Sequence, residues 1–116
     1  VLIIIDLDGF KAINDSYGHT AGNEVLANVA RHLVSAVREG DEVARLGGDE
    51  FAVLMPGINR REANLRASTL SKELNGLILP WNGKPIQVRG SVGGAYYGPG
   101  DDMDTIYRRA DEEMYR

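Results

Sequence analysis

The stretch Arg45-Leu46-Gly47-Gly48-Asp49-Glu50-Phe51-Ala52-Val53-Leu54-Met55-Pro56 (RLGGDEFAVLMP) sets two adjacent carboxylates behind two glycines and between two apolar segments. Residues 42–46 and 51–55 are short and rich in strand formers, so the Gly-Gly-Asp-Glu interruption reads as the tip of an antiparallel hairpin. Acidic, glycine-containing turns are common at protein surfaces, and the charge alone specifies no function. A four-residue acidic turn needs no second glycine, however, whereas a ligand lying against the hairpin gains from two residues without a Cβ.

Residues 1–7 (VLIIIDL) form a continuous apolar run of strand length, the pattern of a central strand covered on both faces. Asp6 is the first charge after five apolar residues. If the hairpin pairs beside this strand, Asp6, Asp49 and Glu50 converge. Like charges in a partly desolvated pocket raise one another's pKa unless a cation neutralises them. All-oxygen ligation by one or two carboxylates plus water is what Mg²⁺ accepts, usually with substrate phosphates completing the shell. The acidic residues therefore point to nucleotide triphosphate chemistry.

Outward from these two segments, residues 10–16 read as a short helical piece, followed by a turn at Tyr17-Gly18-His19. Val25, Leu26, Val29, Leu33 and Val37 then recur at spacings of three and four, predicting an amphipathic helix over residues 21–38 that Gly40 breaks. Asn59-Arg60-Arg61-Glu62 has the form of a capping box, opening a helix with Ala63, Ala67, Leu70 and Leu74 on its apolar side and Asn75-Gly76 at its end. Strand-like stretches over residues 77–97 surround an Asn82-Gly83 turn, and a last helix from Asp102 carries Ile106, Ala110 and Met114 on one face. The order β-α-α-β-β-α-β-α predicts an α+β sandwich, with helices packed on a mainly antiparallel sheet.

At 116 residues the chain has the size of one domain. It starts without methionine in strand-like sequence and stops within a helical pattern, so a single domain truncated at both ends is expected. Without cysteine there are no disulfides and no thiolate metal sites, and a cytoplasmic location is permitted. The apolar start is interrupted by Asp6 and Asp8 far short of the roughly 20 residues a membrane span needs. A net charge of −4 disfavours nucleic acid as a partner. A single phosphorylated small molecule stays open, because a divalent cation supplies the missing positive charge.

After the first strand, a tight turn and helix start leave backbone N–H groups free for a triphosphate, and Lys11 adds a point charge there. His19 reads as a turn or packing histidine rather than a metal ligand, since no second histidine lies at ligand spacing and His32 faces elsewhere on the next helix.

The segment DLDGFKAINDSYGHTAGNEVL followed by RLGGDEF closely resembles the GGDEF domain of bacterial diguanylate cyclases, and the terminal ADEEMY resembles that family's closing helix. The resemblance implies a nucleotidyl cyclase and polymerase-palm (ferredoxin-like) fold in which two domains, each holding one GTP, face one another to make cyclic di-GMP and pyrophosphate. It implies Mg²⁺, with Mn²⁺ an acceptable substitute, on the side chains of Asp6 and Asp49 and the Leu7 carbonyl, with Glu50 sharing the metal. Asp49 and Glu50 are both candidates for taking the proton from the attacking hydroxyl. By the same resemblance Phe10 and Lys11 lie at the triphosphate, with Lys11 offsetting charge on the leaving pyrophosphate. Asn14 and Asn23 face the guanine edge, and His19, Gly47 and Gly48 belong to the nucleotide-binding set. Arg38-Glu39-Gly40-Asp41 matches the family's RxxD inhibitory motif, with five residues between Asp41 and Gly47, so Arg38 and Asp41 are implied to bind the cyclic di-GMP product.

Partners implied in the same way are GTP, cyclic di-GMP, a second copy of the domain, and an N-terminal sensor or receiver domain in a soluble or membrane-tethered parent. Two other readings stand beside the cyclase. One is a non-catalytic receptor domain that binds GTP or cyclic di-GMP. The other is a cyclase with relaxed base choice, suggested by Asn23 where the family commonly has Asp, because an amide offers one acceptor where a carboxylate accepts two base N–H groups.

Overall fold

The computed structural model describes residues 1–96 and 100–114 and, in the last helix, the side chains of residues 104–106, 108, 109 and 112. The apolar run at the start becomes β1 (Leu2–Leu7), an inner strand of a four-stranded sheet. The order across this sheet is β2 (Glu42–Gly47), β3 (Glu50–Leu54), β1 and β6 (Gly90–Ala95), with every neighbouring pair antiparallel. Since β1 and β2 both oppose β3, they are parallel to each other. The chain between them crosses the sheet as α1 (Phe10–Tyr17) and α2 (His19–Ala36). By the same logic β3 and β6 are parallel, joined through α3 (Arg60–Asn75). Two interlocked split β-α-β units result, an α+β sandwich as the element order predicts and the ferredoxin-like arrangement that the family resemblance implies.

The period-2 alternation of a strand decides what each residue of β1 faces. Ile3, Ile5 and Leu7 pack with Val25, Val29 and Leu33 of α2 and with Ala63, Leu70 and Leu74 of α3. Leu2 and Ile4 point the other way, against Ala52, Ala95 and Ile106 of α4 (Met103–Met114). Burial on both faces is why the run is apolar at every position rather than at alternate ones. Ala110 and Met114, expected beside Ile106, lie outside the described side chains.

The capping box holds at its first half: the Glu62 N–H donates to Asn59 Oδ1 at 2.8 Å, and the expected apolar face of α3 is the one turned inward. Two expectations need adjustment. The helix predicted to run to Arg38 ends at Ala36, with Val37 extended. There the Asp41 carboxylate accepts the Arg38 N–H at 2.9 Å while the Asp41 N–H donates to the Arg38 carbonyl at 3.1 Å, a local turn that outcompetes another helical turn.

Of the strand-like stretches read over residues 77–97, the described part, 77–96, holds three strands where the expected element order counted one; Tyr97 lies outside the described residues. β4 (Ile78–Trp81) and β5 (Lys84–Gln87) form a separate hairpin around Asn82-Gly83, both at positive φ, as a type I′ turn requires. Pro80 pairs with Pro85, and two residues without an N–H suit a small peripheral ribbon better than the interior of a sheet. The ribbon still contributes Ile86 and Val88 to the core beside α3.

Candidate active site

The register between β1 and β3 places Asp6 directly opposite Glu50 and Ile5 opposite Phe51. Val1 and Met55 exchange both of their backbone hydrogen bonds, at 3.0 and 2.8 Å, and the Leu7 N–H donates to the Asp49 carbonyl at 3.0 Å. Odd residues of β1 therefore occupy the hydrogen-bonded sites, and Asp6 with Glu50 forms a non-hydrogen-bonded pair. Facing Cα atoms in such pairs stand about 4.5 Å apart, closer than in the alternate pairs. Their side chains leave the sheet on one face, so backbone geometry sets the two acidic residues side by side. Asp49 precedes Glu50 in the turn. Because the N–H and C=O of an extended residue point to the same side, the Leu7 carbonyl is also directed toward the hairpin tip.

The hairpin is tighter than the four-residue loop read from sequence. β2 runs through Gly47 and β3 starts at Glu50, leaving Gly48-Asp49 as the turn. The ladder shifts register between Arg45 and Gly47, so that Leu46 is the extra residue of a bulge and half of it is exposed. Gly47 and Gly48 have φ of 152° and 45°, and a Cβ on either would meet no atom of this chain within 4 Å. The turn conformation thus accounts for both glycines, contrary to the expectation that the second has no backbone role. The open space above them nevertheless leaves the tip approachable. Arg45 clamps the turn, its Nε and Nη2 donating to the Gly48 carbonyl at 3.0 and 2.7 Å.

On the other side of Asp6, Ser91 of β6 is its ladder partner. The Ser91 hydroxyl donates to the Asp8 carboxylate, 3.0 Å from either oxygen, and the Asp8 N–H donates to the Arg89 carbonyl at 2.9 Å. Asp8 thereby straps the start of the connecting loop to the sheet. Gly9, in the left-handed conformation, then turns the chain into α1, whose first N–H groups have no intrahelical acceptor. Phe10 is half-buried on the core, and Lys11 is exposed in the first turn. His19 is the exposed first residue of α2, not a packing residue. Asn14 on α1 lies against Gly22 on α2, and Asn23 follows on the exposed side. A groove of about 460 Å³ adjoins Asn23 between α2 and β2, with Leu26, Ala27, Ala30, Val43 and Phe51 among its walls.

Arg38 and Asp41 are brought together, and with each other. The Asp41 side chain is fully covered and accepts from Arg38 Nε at 3.1 and 3.2 Å, from Nη2 at 2.8 Å and from the Arg38 N–H at 2.9 Å. Nη2 also donates to the Pro56 carbonyl at 3.0 Å. The side-chain hydrogen bond from Arg38 holds the Asp41 carboxyl below the usual carboxylate range, and the same bond raises Arg38.

As donors for a cation, Asp6, Glu50, Asp49 and the Leu7 carbonyl offer only oxygen, which suits a hard divalent ion. Among the described residues no three His, Cys, Asp or Glu side chains gather closely enough to hold a metal by themselves. Phosphate oxygens and water fit as the remaining ligands. Sequence reasoning missed three contributors here: the Arg45 clamp, the Asp8 strap and its Ser91 partner. Nothing in residue spacing marks Ser91, which reaches Asp8 only through strand pairing.

Comparison with known proteins gives the family and agrees with the fold. The chain matches the family described as "Diguanylate cyclase, GGDEF domain" over residues 1–116. It is 35% identical over 120 residues to the probable diguanylate cyclase DgcF of Escherichia coli K12, covering 99% of this chain and 38% of that protein. Its fold superposes on diguanylate cyclase SiaD of Pseudomonas aeruginosa, solved with its activator SiaC, with a TM-score of 0.92 and 31% identity over 98% of this chain and 44% of that one. The GGDEF domain of DgcB from Caulobacter crescentus, solved with c-di-GMP, gives a TM-score of 0.90 and 27% identity over 98% of this chain and 68% of that one. The chain thus spans well under half the length of the first two relatives. A site built from an acid pair across β1 and β3, beside a helix start, is found here in a sequence and fold of that kind: the chain belongs to the GGDEF domain family of diguanylate cyclases, a nucleotidyltransferase family.

Proposed function

We propose that this domain condenses two GTP into cyclic di-GMP and two pyrophosphate, as one half of a homodimer. The observation that carries the reading is the closed pairing of Asp6 with Glu50 next to the N-terminus of α1. Two carboxylates side by side on one sheet face offer oxygen ligands to the divalent cation that accompanies a triphosphate. Asp6, the Leu7 carbonyl, Asp49 and Glu50 would hold Mg²⁺ or Mn²⁺, which when bound neutralises triphosphate charge and polarises the α-phosphate.

The chain's own residues do the rest. The free N–H groups at the start of α1, with Lys11 and the ring of Phe10 beside them, bind the triphosphate and offset charge on the leaving pyrophosphate. Asn14 and Asn23 orient the base. A carboxylate at the tip, Asp49 or Glu50, takes the proton as the ribose 3′-oxygen of one nucleotide bonds to the α-phosphorus of the other and the bond to pyrophosphate breaks. Each domain supplies one nucleotide, so the second copy contributes the attacking hydroxyl and supplies the in-line alignment. Product feedback through Arg38 and Asp41 requires their pair to open first, because the Asp41 oxygens already accept from Arg38.

The test incubates the full-length protein that carries this domain with Mg²⁺ and GTP, or with GTP plus ATP, under conditions that enforce dimerisation. Cyclic di-GMP and pyrophosphate in a ratio of one to two are expected. Binding of GTP or cyclic di-GMP without pyrophosphate release makes the domain a receptor instead, and mixed cyclic dinucleotides make it a cyclase of relaxed base choice.

A further inference from the structure

At Gly22 in the first turns of α2, an added Cβ would collide with the amide oxygen of Asn14, come within 2.9 Å of its Cγ and stand 3.3 Å from Cζ of Phe10. Contacts under about 3 Å at a real Cβ do not occur without something shifting. Gly22 is buried, and α1 has no buried residue of its own. The close approach of the two helices at this point is what gives Asn14 its seat. Gly22 has an ordinary helical backbone with no positive φ, so its lack of a side chain is used for space and not for conformation. A glycine inside a helix lowers helix propensity relative to alanine, so its presence here calls for a compensating use.

We propose that Gly22 is a positioning residue for base recognition: it sets the Asn14 amide in the attitude that meets the nucleotide base. This inference rests on the cyclase reading of the site. Of the two neighbours, the Asn14 amide is the end of a rotatable side chain, whereas the helix carrying it is fixed by Phe10, Ile13 and Tyr17 on the core and by the Asp8 strap. A methyl group at position 22 therefore swings the amide aside and leaves the N-terminus of α1 in place. The base contact is lost and the triphosphate site is kept. That separation distinguishes positioning from general helix packing, because a displaced α1 would weaken base and triphosphate together.

The experiment measures equilibrium binding of a non-hydrolysable GTP analogue and of inorganic triphosphate, each with Mg²⁺, to the full-length protein and to Gly22→Ala, Asn14→Ala and the double variant. Tighter binding of the GTP analogue than of triphosphate by the wild type establishes the base contribution, and its absence overturns the cyclase reading itself. Given that contribution, Gly22→Ala is expected to weaken the GTP analogue about tenfold, the loss of one good polar contact, with triphosphate affinity unchanged. In the Asn14→Ala background the second substitution is expected to add less than twofold, since the group it displaces is gone. Equal losses for both ligands, additive losses in the double variant, or an unchanged GTP analogue affinity in Gly22→Ala would each overturn the proposal. Should Gly22→Ala fail to fold, the proposal requires the double variant to fold, and failure of both contradicts it.

Discussion

Asp6 and Glu50 face each other across the antiparallel ladder in a non-hydrogen-bonded pair, the arrangement that brings opposing side chains closest. The backbone fixes this: every hydrogen bond from Val1–Met55 to Leu7–Asp49 keeps the same register. Two facing carboxylates at the end of an apolar strand suit a place where a cation binds. Asp6→Asn and Glu50→Gln keep the shape while removing the charge and one acceptor oxygen. Each is expected to lower turnover by a factor of about 100 or more, the scale of losing a group that stabilises charge in a transition state. Thermal unfolding of the ligand-free protein is expected to move by only a few degrees, and a large fall in melting temperature would assign these residues a structural role instead.

Arg45 makes a second, independent prediction. Its guanidinium grips the Gly48 carbonyl through two donors, and a lysine provides a single point charge without the fork. Arg45→Lys is expected to lower turnover roughly tenfold, the scale of one lost charge-assisted hydrogen bond, with little change in melting temperature. Steady-state kinetics beside thermal unfolding checks it, and unchanged kinetics would show that the turn holds its shape unaided.

The Arg38–Asp41 pair predicts a pH dependence with a definite sign. Asp41 has a depressed carboxyl pKa in the folded protein, so its contribution is fully present above the unfolded carboxylate pKa of about 4 and is lost as pH falls through the lower folded value. Asp41→Asn is expected to reduce stability by about 1–3 kcal/mol at pH 7, the range for a covered hydrogen bond to a charged group. Urea unfolding from pH 7 down to about 3 should show the gap between wild type and variant constant at first and shrinking below about pH 4. A gap that widens on acidification would reverse the assignment.

Asn59 caps α3 through the Glu62 N–H, remote from the acid pair. Asn59→Ala is expected to cost about 1 kcal/mol of stability and Asn59→Asp almost nothing, as for N-caps generally. Chemical denaturation of both variants measures it, and equal losses would mean that the cap bond contributes little.

Much of this architecture was legible in residue order because each signal is local. The apolar run before Asp6 reads as a strand covered twice, the three-four spacing of Val25, Leu26, Val29 and Leu33 as one helix face, and Asn82-Gly83 announced its turn. The convergence of Asp6 with the hairpin followed from one added assumption, that the two elements are neighbours, and β1–β3 pairing supplies it. What residue order left open depends on contacts between distant segments. Whether Glu50 or Asp49 stands opposite Asp6 is a matter of register, which a bulge at Leu46 alters on the far side of β3. Asp41 taking the Arg38 N–H and guanidinium, and so ending α2 early, is a competition between local hydrogen bonds that hydrophobic spacing does not report. The hydroxyl of Ser91 reaches Asp8 across 83 positions of chain and has no sequence signature.

The claim on which the account turns is that the Asp6 carboxylate and the hairpin tip share one cation with a triphosphate. Anomalous scattering from crystals of the protein grown with Mn²⁺ and a non-hydrolysable GTP analogue locates that ion directly. The account predicts a peak about 2.0–2.2 Å from a carboxylate oxygen of Asp6, from an oxygen of Asp49 or Glu50 and from phosphate oxygens, the distances of an octahedral hard cation. A nucleotide bound with its metal away from Asp6, or a triphosphate seated elsewhere on the domain, would contradict it.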